Sequence, residues 1–312
     1  MAKILYIAGA GRSGTTLLGN LLGERDHFVS SGELHYLWQR GLVENRACGC
    51  GSSLRACDTW KDVFVRSFGG IDAVDPTLVV RSQGEIHTRH ALRALRYRRT
   101  GRTLEKFEYS RFLSKLYAGI AAAHGASVVV DSSKFPTDAI VASGLPDHEV
   151  YVLHVVRDPR AVAFSWARKK PVPDKTTNRG LLPQIGLVRS TVVWSAYNAI
   201  IATAVRRAVG TSRYRLVRYE DLVSRPQETL DEIAGFVSEP AATGGVIEDG
   251  KVELSIAHTA SGNPMRFGSG IVQLQLDDEW RHEMSVWKKA GIAALASPML
   301  GVSGYSFGAD AR

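Results

Sequence analysis

The sequence contains few cysteines and no long hydrophobic run. Only 3 of its 312 residues are cysteine, and no apolar stretch approaches the length of a membrane-spanning helix. The first apolar segment, ILYIAGA at residues 4–10, is too short for the hydrophobic part of a secretory signal peptide followed by a cleavage site. Repeats and low-complexity linkers are absent as well. We therefore expect no transmembrane segment and a single domain over residues 1–312.

The three cysteines, Cys48, Cys50 and Cys57, lie together in the segment CGCGSSLRAC. The simplest interpretation is three reduced thiols in a loop, which requires no metal. A second is one disulfide with a free third thiol, which a reducing cytosol disfavours. A third is a zinc ion held by the three thiols and by a fourth residue from elsewhere in the chain.

Acidic residues are outnumbered by basic ones, and the formal net charge is +8. Residues 81–106 supply most of the excess, with eight basic side chains against two Glu. The eight are Arg81, Arg89, Arg93, Arg96, Arg98, Arg99, Arg102 and Lys106. A solvated helix face explains them most simply, and attraction of an anionic acceptor or a membrane surface is the alternative. No recognised nucleic-acid fold accompanies the charge, so we expect no nucleic-acid partner.

A glycine-rich loop is the most informative motif. Residues 9–16 read GAGRSGTT and lie between the apolar run ILYIA and the helical stretch LLGNLLG. Glycines let backbone N–H groups approach an anion, and the following helix adds unpaired N–H groups and a partial positive charge. We therefore expect a phosphate-like group to be bound by the loop residues Gly11, Arg12, Ser13, Gly14, Thr15 and Thr16.

Four interpretations of this loop compete. Gly9 and Gly14 have Walker A spacing, but Thr15 replaces the lysine that contacts the β- and γ-phosphates of a nucleoside triphosphate. The glycines also match GxGxxG, with Glu33 near the ribose-binding position, although FVSSGE at residues 28–33 is a poor candidate for the second Rossmann strand. A 5′-phosphosulfate needs neither that lysine nor magnesium. A glycine-rich turn without a ligand is the fourth possibility.

A second motif follows the apolar run EVYVLHVV at residues 149–156. Such a β-branched run predicts a buried strand, and it ends at Arg157 in the sequence RDPR. Arg157 is therefore expected at the carboxyl edge of a sheet, where open α/β sheets bind ligands. Ser165 lies eight residues later in the next predicted helix.

The element pattern predicts an α/β fold with a central parallel sheet, because strands alternate with helices. The predicted strands are 3–8, 127–131, 150–156 and 214–218, and the predicted helices include 14–23, 103–123, 184–208 and 226–237. Residues 34–124 contain mostly helix and loop, which indicates a helical insertion.

Together these motifs resemble the sulfotransferases that use 3′-phosphoadenosine 5′-phosphosulfate (PAPS), in particular bacterial members of the carbohydrate and tyrosylprotein sulfotransferase type. GAGRSGTTLL at 9–18 resembles the 5′-phosphosulfate loop, and Arg157 with Ser165 the 3′-phosphate motif. RYEDL at 218–222 and SGNPMRF at 261–267 also match elements of bacterial members. The resemblance covers residues 3 to about 290. It implies a P-loop-like three-layer fold, PAPS as co-substrate without a metal, and a cytoplasmic location, since the membrane-anchored members are those of the Golgi.

The resemblance also implies roles for particular residues. Glu33, in a Gly-Glu context similar to that of the tyrosylprotein sulfotransferases, is the expected catalytic base, and His35 is the alternative. Lys134 in VVVDSSKFP is expected to stabilise the leaving group, with Asp131, Ser132 and Ser133 orienting its loop.

Arg12 is expected to bind the phosphosulfate and to share in charge stabilisation, and Arg157 and Ser165 to bind the 3′-phosphate. The resemblance further suggests that Tyr219 contacts adenine and that Arg266 closes over the 3′-phosphate. Trp60 and Trp194 are acceptor-pocket candidates that are more simply explained as core, and His154 is expected in the core as well.

The expected function is transfer of a sulfuryl group from PAPS to an acceptor hydroxyl on a small molecule, glycan, lipid or natural product. A nucleotide-dependent kinase with a degenerate loop and a non-catalytic nucleotide-binding protein are the alternatives. The segments 34–124, 170–183 and 241–275 are expected to shape the acceptor pocket, but they contain no motif that identifies the acceptor or the oligomeric state.

Overall fold

Five parallel strands form a single sheet at the centre of the protein. The computed structural model describes residues 2–86, 108–168, 184–240 and 244–308. The strands are β1 (Ala2–Gly9), β2 (Phe28–Gly32), β3 (Val128–Lys134), β4 (His148–Val156) and β5 (Tyr214–Arg218). Their order across the sheet is β2-β3-β1-β4-β5, and every neighbouring pair is parallel. All five carboxyl ends therefore lie at one edge.

The apolar strands form where both of their faces can be buried, as expected of a parallel sheet covered by helices. In β1 the side chains alternate between two separate cores. Ile4 and Tyr6 pack with the helical region that precedes and follows β3, and Leu5 and Ile7 pack with residues from the other face of the sheet. This alternation explains why β1 has almost no polar residue.

Helices cover both faces of the sheet. They are α1 (Thr15–Gly23), α2 (Asp58–Phe68), α3 (Pro76–Gln83), α4 (Glu108–His124), α5 (Pro136–Ala142), α6 (Pro159–Ala167), α7 (Leu187–Ile200), α8 (Arg206–Val209), α9 (Tyr219–Ser224), α10 (Pro226–Phe236), α11 (Trp280–Glu283), α12 (Val286–Leu295) and α13 (Ser297–Leu300). Helices α1 and α10 contribute to one core, whereas α2, α4 and α5 contribute to the other. The three-layer α/β fold predicted from the sequence is confirmed.

The long connection from β2 to β3 carries the helical segment predicted after residue 34. A 3₁₀ turn at Leu34–Tyr36 and a π-helical segment at Leu37–Val43 precede α2, α3 and α4. Seven of the eight basic residues of the 81–106 segment fall at 87–107, outside the described residues, and so do residues 169–183 and the start of the predicted helix 103–123.

The carboxyl-terminal part adds a two-stranded antiparallel hairpin, β6 (Lys251–Leu254) with β7 (Gly270–Gln273), to the parallel core. The segment between these two strands passes close to β2 and becomes important for the site. Within the described ranges, no helix combines the length and the apolar composition needed to cross a membrane.

Most predicted boundaries are confirmed to within three residues. The predicted helix at 184–208 is divided into α7, a π-helical turn at Ile201–Val205 and α8. The expectation that residues 28–33 are a poor strand is wrong, because Phe28–Gly32 pairs in parallel with β3. Its polar residues are tolerated since β2 lies at the sheet edge, and Ser31 Oγ donates a hydrogen bond to Val130 O at 2.7 Å.

Candidate active site

The carboxyl edge of the sheet brings together one polar element from each strand. Glu33 follows β2, Lys134 ends β3, and Arg157 follows β4. The glycine-rich loop, residues 10–14, follows β1, and Tyr219 follows β5. Open parallel sheets bind ligands at this edge, so residues from five distant parts of the sequence meet where a ligand is expected.

The glycine-rich loop turns tightly between β1 and α1. Gly14 has a φ of 85° and Arg12 a φ of 71°, a left-handed conformation that favours glycine. A Cβ at Gly14 would lie 2.4 Å from the ring of Tyr219, and one at Gly11 would lie 2.8 Å from the ring of Trp166. The loop can therefore pass against these two aromatic rings only because both positions lack a side chain.

Several donors of the loop are buried and available for a ligand. Ser13 Oγ and Arg12 Nε have no hydrogen-bond partner among the described residues. Burial lowers the pKa of the Arg12 guanidinium, and the carboxylate of Glu33 opposes that effect. Helix α1 begins at Thr15, followed by Thr16, and the glycine before it has no side chain to cap the first N–H groups. These unpaired donors and the positive charge match a phosphate or sulfate group.

Arg157 lies directly against this loop. Its Nη1 donates a hydrogen bond to Arg12 O at 3.3 Å, and its Cζ lies 4.4 Å from the centre of the Tyr219 ring. Its Nη2 donates to Asp277 O at 2.7 Å and lies 3.2 Å from the Asp277 carboxylate. Nε of Arg157 is buried without a partner in the described chain. The two anion-binding motifs expected from the sequence are therefore neighbours.

The RDPR motif determines which of its two arginines can bind a ligand. Asp158 caps α6, and its carboxylate accepts hydrogen bonds from the backbone and the guanidinium of Arg160. Arg160 is therefore neutralised inside the motif. Trp194 is fully buried, and its Nε1 donates to Arg157 O at 3.0 Å. Trp194 and Trp60 both lie in the core, as the simpler interpretation had it.

Helix α6 continues from this motif along the glycine-rich loop. Ser165 is only 4% exposed, and Trp166 beside it contacts the loop. The guanidinium carbon of Arg12 lies 4.7 Å from the centre of the Trp166 ring, a distance at which a cation is attracted to an aromatic face. Trp166 thus holds the Arg12 side chain next to the helix that carries Ser165.

Glu33 and Lys134 form an ion pair between Oε1 and Nζ. Their side chains are 8% and 17% exposed, so the pair is largely removed from water. Lys134 has a φ of 76°. Such backbone strain at a non-glycine residue costs free energy and is concentrated at functional sites. The ion pair thus joins the expected catalytic base, Glu33, to the residue expected to stabilise the leaving group, Lys134.

His35, the alternative base, has its own carboxylate partner. Its Nδ1 lies 2.6 Å from Asp138 Oδ2, and its ring stacks on Phe135 with centres 4.0 Å apart. Burial alone would lower the pKa of His35, but the charge and hydrogen bond of Asp138 outweigh burial, so the net pKa is raised.

A buried hydrogen-bond network supports the turn that contains Lys134. Asp131 accepts hydrogen bonds from the backbone N–H and hydroxyl of Ser133 and from Tyr117 Oη. The backbone N–H of His35 donates to Ser133 Oγ at 2.9 Å. Burial raises the pKa of Asp131 to about 6, although these donors act against it. The expected orienting role of Asp131 and Ser133 agrees with this geometry, and Ser132 is buried beside them.

The segment between β6 and β7, here called the late loop (residues 255–269), closes on Glu33. The backbone N–H of Glu33 donates to Ser261 O at 3.0 Å. A Cβ at Gly262 would lie 3.8 Å from Glu33 Oε1, 3.4 Å from Arg266 Cδ and 4.0 Å from Thr16 Cγ2. The late loop thus lies between the catalytic candidates and the start of α1.

The side chain of Arg266 is held by backbone carbonyls. Its guanidinium is buried and donates to Thr259 O at 3.0 Å and to Ala47 O at 2.7 Å. These carbonyls hold it beside the cysteine segment, and the expected closure of Arg266 over the 3′-phosphate stays a prediction. Tyr219 is 7% exposed, since Gly14 and Arg157 contact its ring, and adenine contact by Tyr219 stays a prediction.

Three residues at the site were missed by sequence reasoning. Asp138 pairs with His35, Asp277 pairs with Arg157, and Trp166 packs on the loop. Trp166 could have been identified from the sequence, because it directly follows Ser165. No local pattern identifies the other two, because each acts on a partner more than 100 residues away.

The comparisons with known proteins agree with this geometry. A family model described as a sulfotransferase domain matches residues 3–290. The fold is similar to the sulfotransferase domain from the curacin biosynthetic pathway, with 19% identity, a TM-score of 0.55, and coverage of 98% of this chain and 99% of that one.

It is also similar to the sulfotransferase domain of the olefin synthase from Synechococcus PCC 7002. That similarity has 18% identity and a TM-score of 0.50, and covers 96% of this chain and 94% of that one. The search of curated protein sequences found no match.

Proposed function

Because this chain belongs to the sulfotransferase domain family, we propose that it transfers a sulfuryl group from PAPS to an acceptor hydroxyl. The observation that carries the proposal is the contact between the two anion-binding motifs, in which Arg157 donates to the carbonyl of Arg12. A donor with phosphate groups at both its 5′ and 3′ positions needs two such positive centres in one place.

The described residues fit the donor at both of its ends. Unpaired Ser13 Oγ and Arg12 Nε, together with the N–H groups at Thr15 and Thr16, would hold the 5′-phosphosulfate. Nε of Arg157 is the unpaired donor at the other end. An arginine guanidinium can bind two phosphate oxygens at once. Arg157 would give up its contact with Asp277 and bind the 3′-phosphate instead.

Glu33 is the base that we propose for the acceptor. Its carboxylate would accept the proton as the acceptor oxygen forms a bond to sulfur and the bond from sulfur to the bridging oxygen breaks. The electron pair of the broken bond remains on the 5′-phosphate of adenosine 3′,5′-bisphosphate. Positioning and charge stabilisation supply most of the rate enhancement in such in-line transfers.

Lys134 and Arg12 would stabilise the negative charge that develops on the leaving phosphate. Lys134 is paired with Glu33 here. Negative charge on the bridging oxygen would give the ammonium of Lys134 a second anionic partner. The carboxylate of Glu33 would then be free to accept a proton. This exchange links donor binding to activation of the base.

His35 stays the alternative base, and it also helps to position the site. Its Nδ1 is hydrogen-bonded to Asp138, whose charge raises the pKa of His35. Its backbone N–H bonds to Ser133, the neighbour of Lys134. We therefore assign His35 and Asp138 to the support of the turn that presents Lys134.

Calorimetry tests the donor class. We expect tight binding of adenosine 3′,5′-bisphosphate, and weak or no binding of ATP and NAD. Turnover of ³⁵S-labelled PAPS with a crude cell extract then separates an enzyme from a non-catalytic nucleotide-binding protein. Preference for ATP would favour the kinase alternative, and binding without label transfer to any acceptor would favour the non-catalytic one.

A further inference from the structure

The cysteine segment meets a histidine from the late loop. Cys57 Sγ lies 3.2 Å from His258 Nδ1, and Cys48 Sγ lies 4.0 Å from the same atom. Cys50 Sγ lies 3.8 Å from Cys57 Sγ. The four ligand atoms all lie within 4.8 Å of one another. The fourth partner that the sequence could not identify is therefore in place, about 200 residues from the cysteines.

We propose that Cys48, Cys50, Cys57 and His258 bind one zinc ion as a structural site.

The spacing of the four atoms agrees with a single tetrahedral ion. Bonds of about 2.3 Å to sulfur and about 2.0 Å to nitrogen place tetrahedral ligand atoms about 3.5–3.8 Å apart. The Cys50–Cys57 separation falls within this range, and the two separations from His258 lie on either side of it. A disulfide would require sulfurs at about 2.05 Å, and all three cysteines are unbridged.

The backbone holds the first two cysteines in a tight turn. The N–H of Cys48 donates to Ser52 O at 2.8 Å, and the N–H of Gly51 donates to Cys48 O at 2.9 Å. Gly51 turns the chain with a φ of 89°. This turn keeps Cys48 and Cys50 close together.

The two segments are packed together as well. Gly49 N donates to Thr259 O at 3.0 Å, and a Cβ at Gly49 would lie 2.3 Å from Ala257 O. Glycine is thus required between the first two cysteines, because the backbone that carries His258 passes directly over it.

Three thiolates and one imidazole favour zinc over harder cations, which take oxygen ligands. Four protein ligands leave no open position for a water or a substrate, so the site is structural rather than catalytic. Zinc binding in such a site contributes directly to folding stability.

The location of the site indicates what the ion would stabilise. Two residues after His258, the N–H of Ala260 donates to Ser31 O at 2.9 Å, and then Ser261 O accepts from the N–H of Glu33. Zinc at His258 would fix the late loop at the position from which it holds Glu33. The ion would thus act on the geometry of the site without contacting the reacting groups.

Metal analysis of the full chain tests the proposal. The protein is purified under reducing conditions, reconstituted with zinc and desalted, and its metal content is measured by plasma mass spectrometry. We expect one zinc per chain. A cobalt-substituted sample should show the ligand-field bands of a tetrahedral thiolate complex, a readout that needs no variant and no activity. Less than half an equivalent of zinc, or a cobalt spectrum without these bands, overturns the proposal.

Variants identify the fourth ligand. His258→Ala should weaken zinc at least about 100-fold in competition with a chromophoric chelator, since loss of an outer-shell partner alone costs about 10- to 100-fold. His258→Cys should retain zinc, because a thiolate can replace the imidazole. Exposed His282 provides the control, and His282→Ala should bind zinc as the unmodified chain does. Unchanged affinity in His258→Ala contradicts the assignment of this residue.

Hydrogen exchange tests the proposed consequence. Removal of zinc by a chelator should increase amide exchange at residues 257–262 and 31–33, while the β1–β4 pairing stays protected. A Cys50–Cys57 disulfide recovered by alkylation and mass spectrometry from the reduced preparation would overturn the zinc assignment in favour of an oxidised pair.

Discussion

The guanidinium of Arg157 donates a hydrogen bond to the backbone carbonyl of Arg12 at 3.3 Å. The contact joins a residue after β4 to the loop after β1, and these strands are neighbours in the sheet. Because the carbonyl is neutral, this bond neutralises neither arginine, and the one carboxylate described against Arg157 is that of Asp277. The pair therefore forms one cationic surface at the sheet edge, to which a ligand with two separated anionic groups can bind.

Replacement of Arg157 by Ala should selectively weaken nucleotides that carry a 3′-phosphate. A hydrogen bond to a charged group contributes about 1.5–3 kcal/mol, so adenosine 3′,5′-bisphosphate should lose about 10- to 100-fold in affinity. Adenosine 5′-monophosphate should lose much less. Calorimetry with both nucleotides measures the difference, and the exposed Arg225→Ala is the control for loss of positive charge. Equal losses for the two nucleotides would remove Arg157 from this role.

Replacement of Glu33 by Gln should slow turnover strongly while donor binding persists. Glutamine keeps an oxygen that can accept a hydrogen bond from Lys134, but it cannot take a proton from the acceptor. A general base contributes about 10²- to 10⁴-fold to the rate, so kcat should fall by that factor. The control is Glu44→Gln, an exposed glutamate paired with Arg46. If kcat survives and nucleotide binding is lost instead, Glu33 has a structural role.

Replacement of Gly14 by Ala should disrupt the anion loop. The φ of 85° costs an alanine about 1–2 kcal/mol, and its Cβ would overlap the Tyr219 ring. We expect loss of adenosine 3′,5′-bisphosphate binding and a lower free energy of unfolding in urea. Gly291→Ala is the matched control, since Gly291 lies in α12 with open space around it, and it should be stabilised by about 0.5–1 kcal/mol. A Gly14→Ala protein that binds the nucleotide normally would contradict the described loop.

Burial of His154 should make stability fall in mild acid. Its Nε2 lies 2.8 Å from Asn198 Oδ1, and its Nδ1 lies 2.6 Å from Tyr214 Oη. Burial lowers the pKa of His154 to about 4, against an ordinary value of 6.5 and despite the hydrogen bond to Asn198. Between these two values the unfolded chain binds more protons than the folded one, so stability is lost as the pH falls.

The lowered pKa of His154 corresponds to a loss of about 3 kcal/mol in the free energy of unfolding once the pH has fallen below both pKa values. His154→Gln cannot titrate, so its free energy of unfolding should depend less on pH between 7 and 4. Asp131, whose pKa is raised by burial to about 6, has the opposite effect, but it is present in both proteins and cancels in the comparison. Parallel pH profiles from urea unfolding would show that His154 is not the responsible group.

Sequence patterns predicted the central strands because β1, β3 and β4 are buried on both sides and therefore have continuous apolar runs. The same reasoning failed for β2, whose serines bond within the sheet edge. Edge strands need fewer apolar residues, so hydrophobic patterns detect them poorly.

At the site, the rule that ligands bind at the carboxyl ends of parallel strands selected Arg157, whereas Glu33 and Lys134 were expected from the family resemblance. The rule could not assign partners that come from distant segments. Arg266 illustrates this limit, because its motif does not identify the carbonyls beside the cysteine segment to which its guanidinium donates. His258 illustrates it equally, since nothing near it in the sequence indicates three cysteines about 200 residues away.

The most direct test of the central claim is a crystal structure with adenosine 3′,5′-bisphosphate bound. The 5′-phosphate should lie on the N–H groups of residues 11–16, and the 3′-phosphate should contact the guanidinium of Arg157 and the hydroxyl of Ser165. A 3′-phosphate bound away from Arg157 would contradict the account, as would a 5′-phosphate outside the glycine-rich loop.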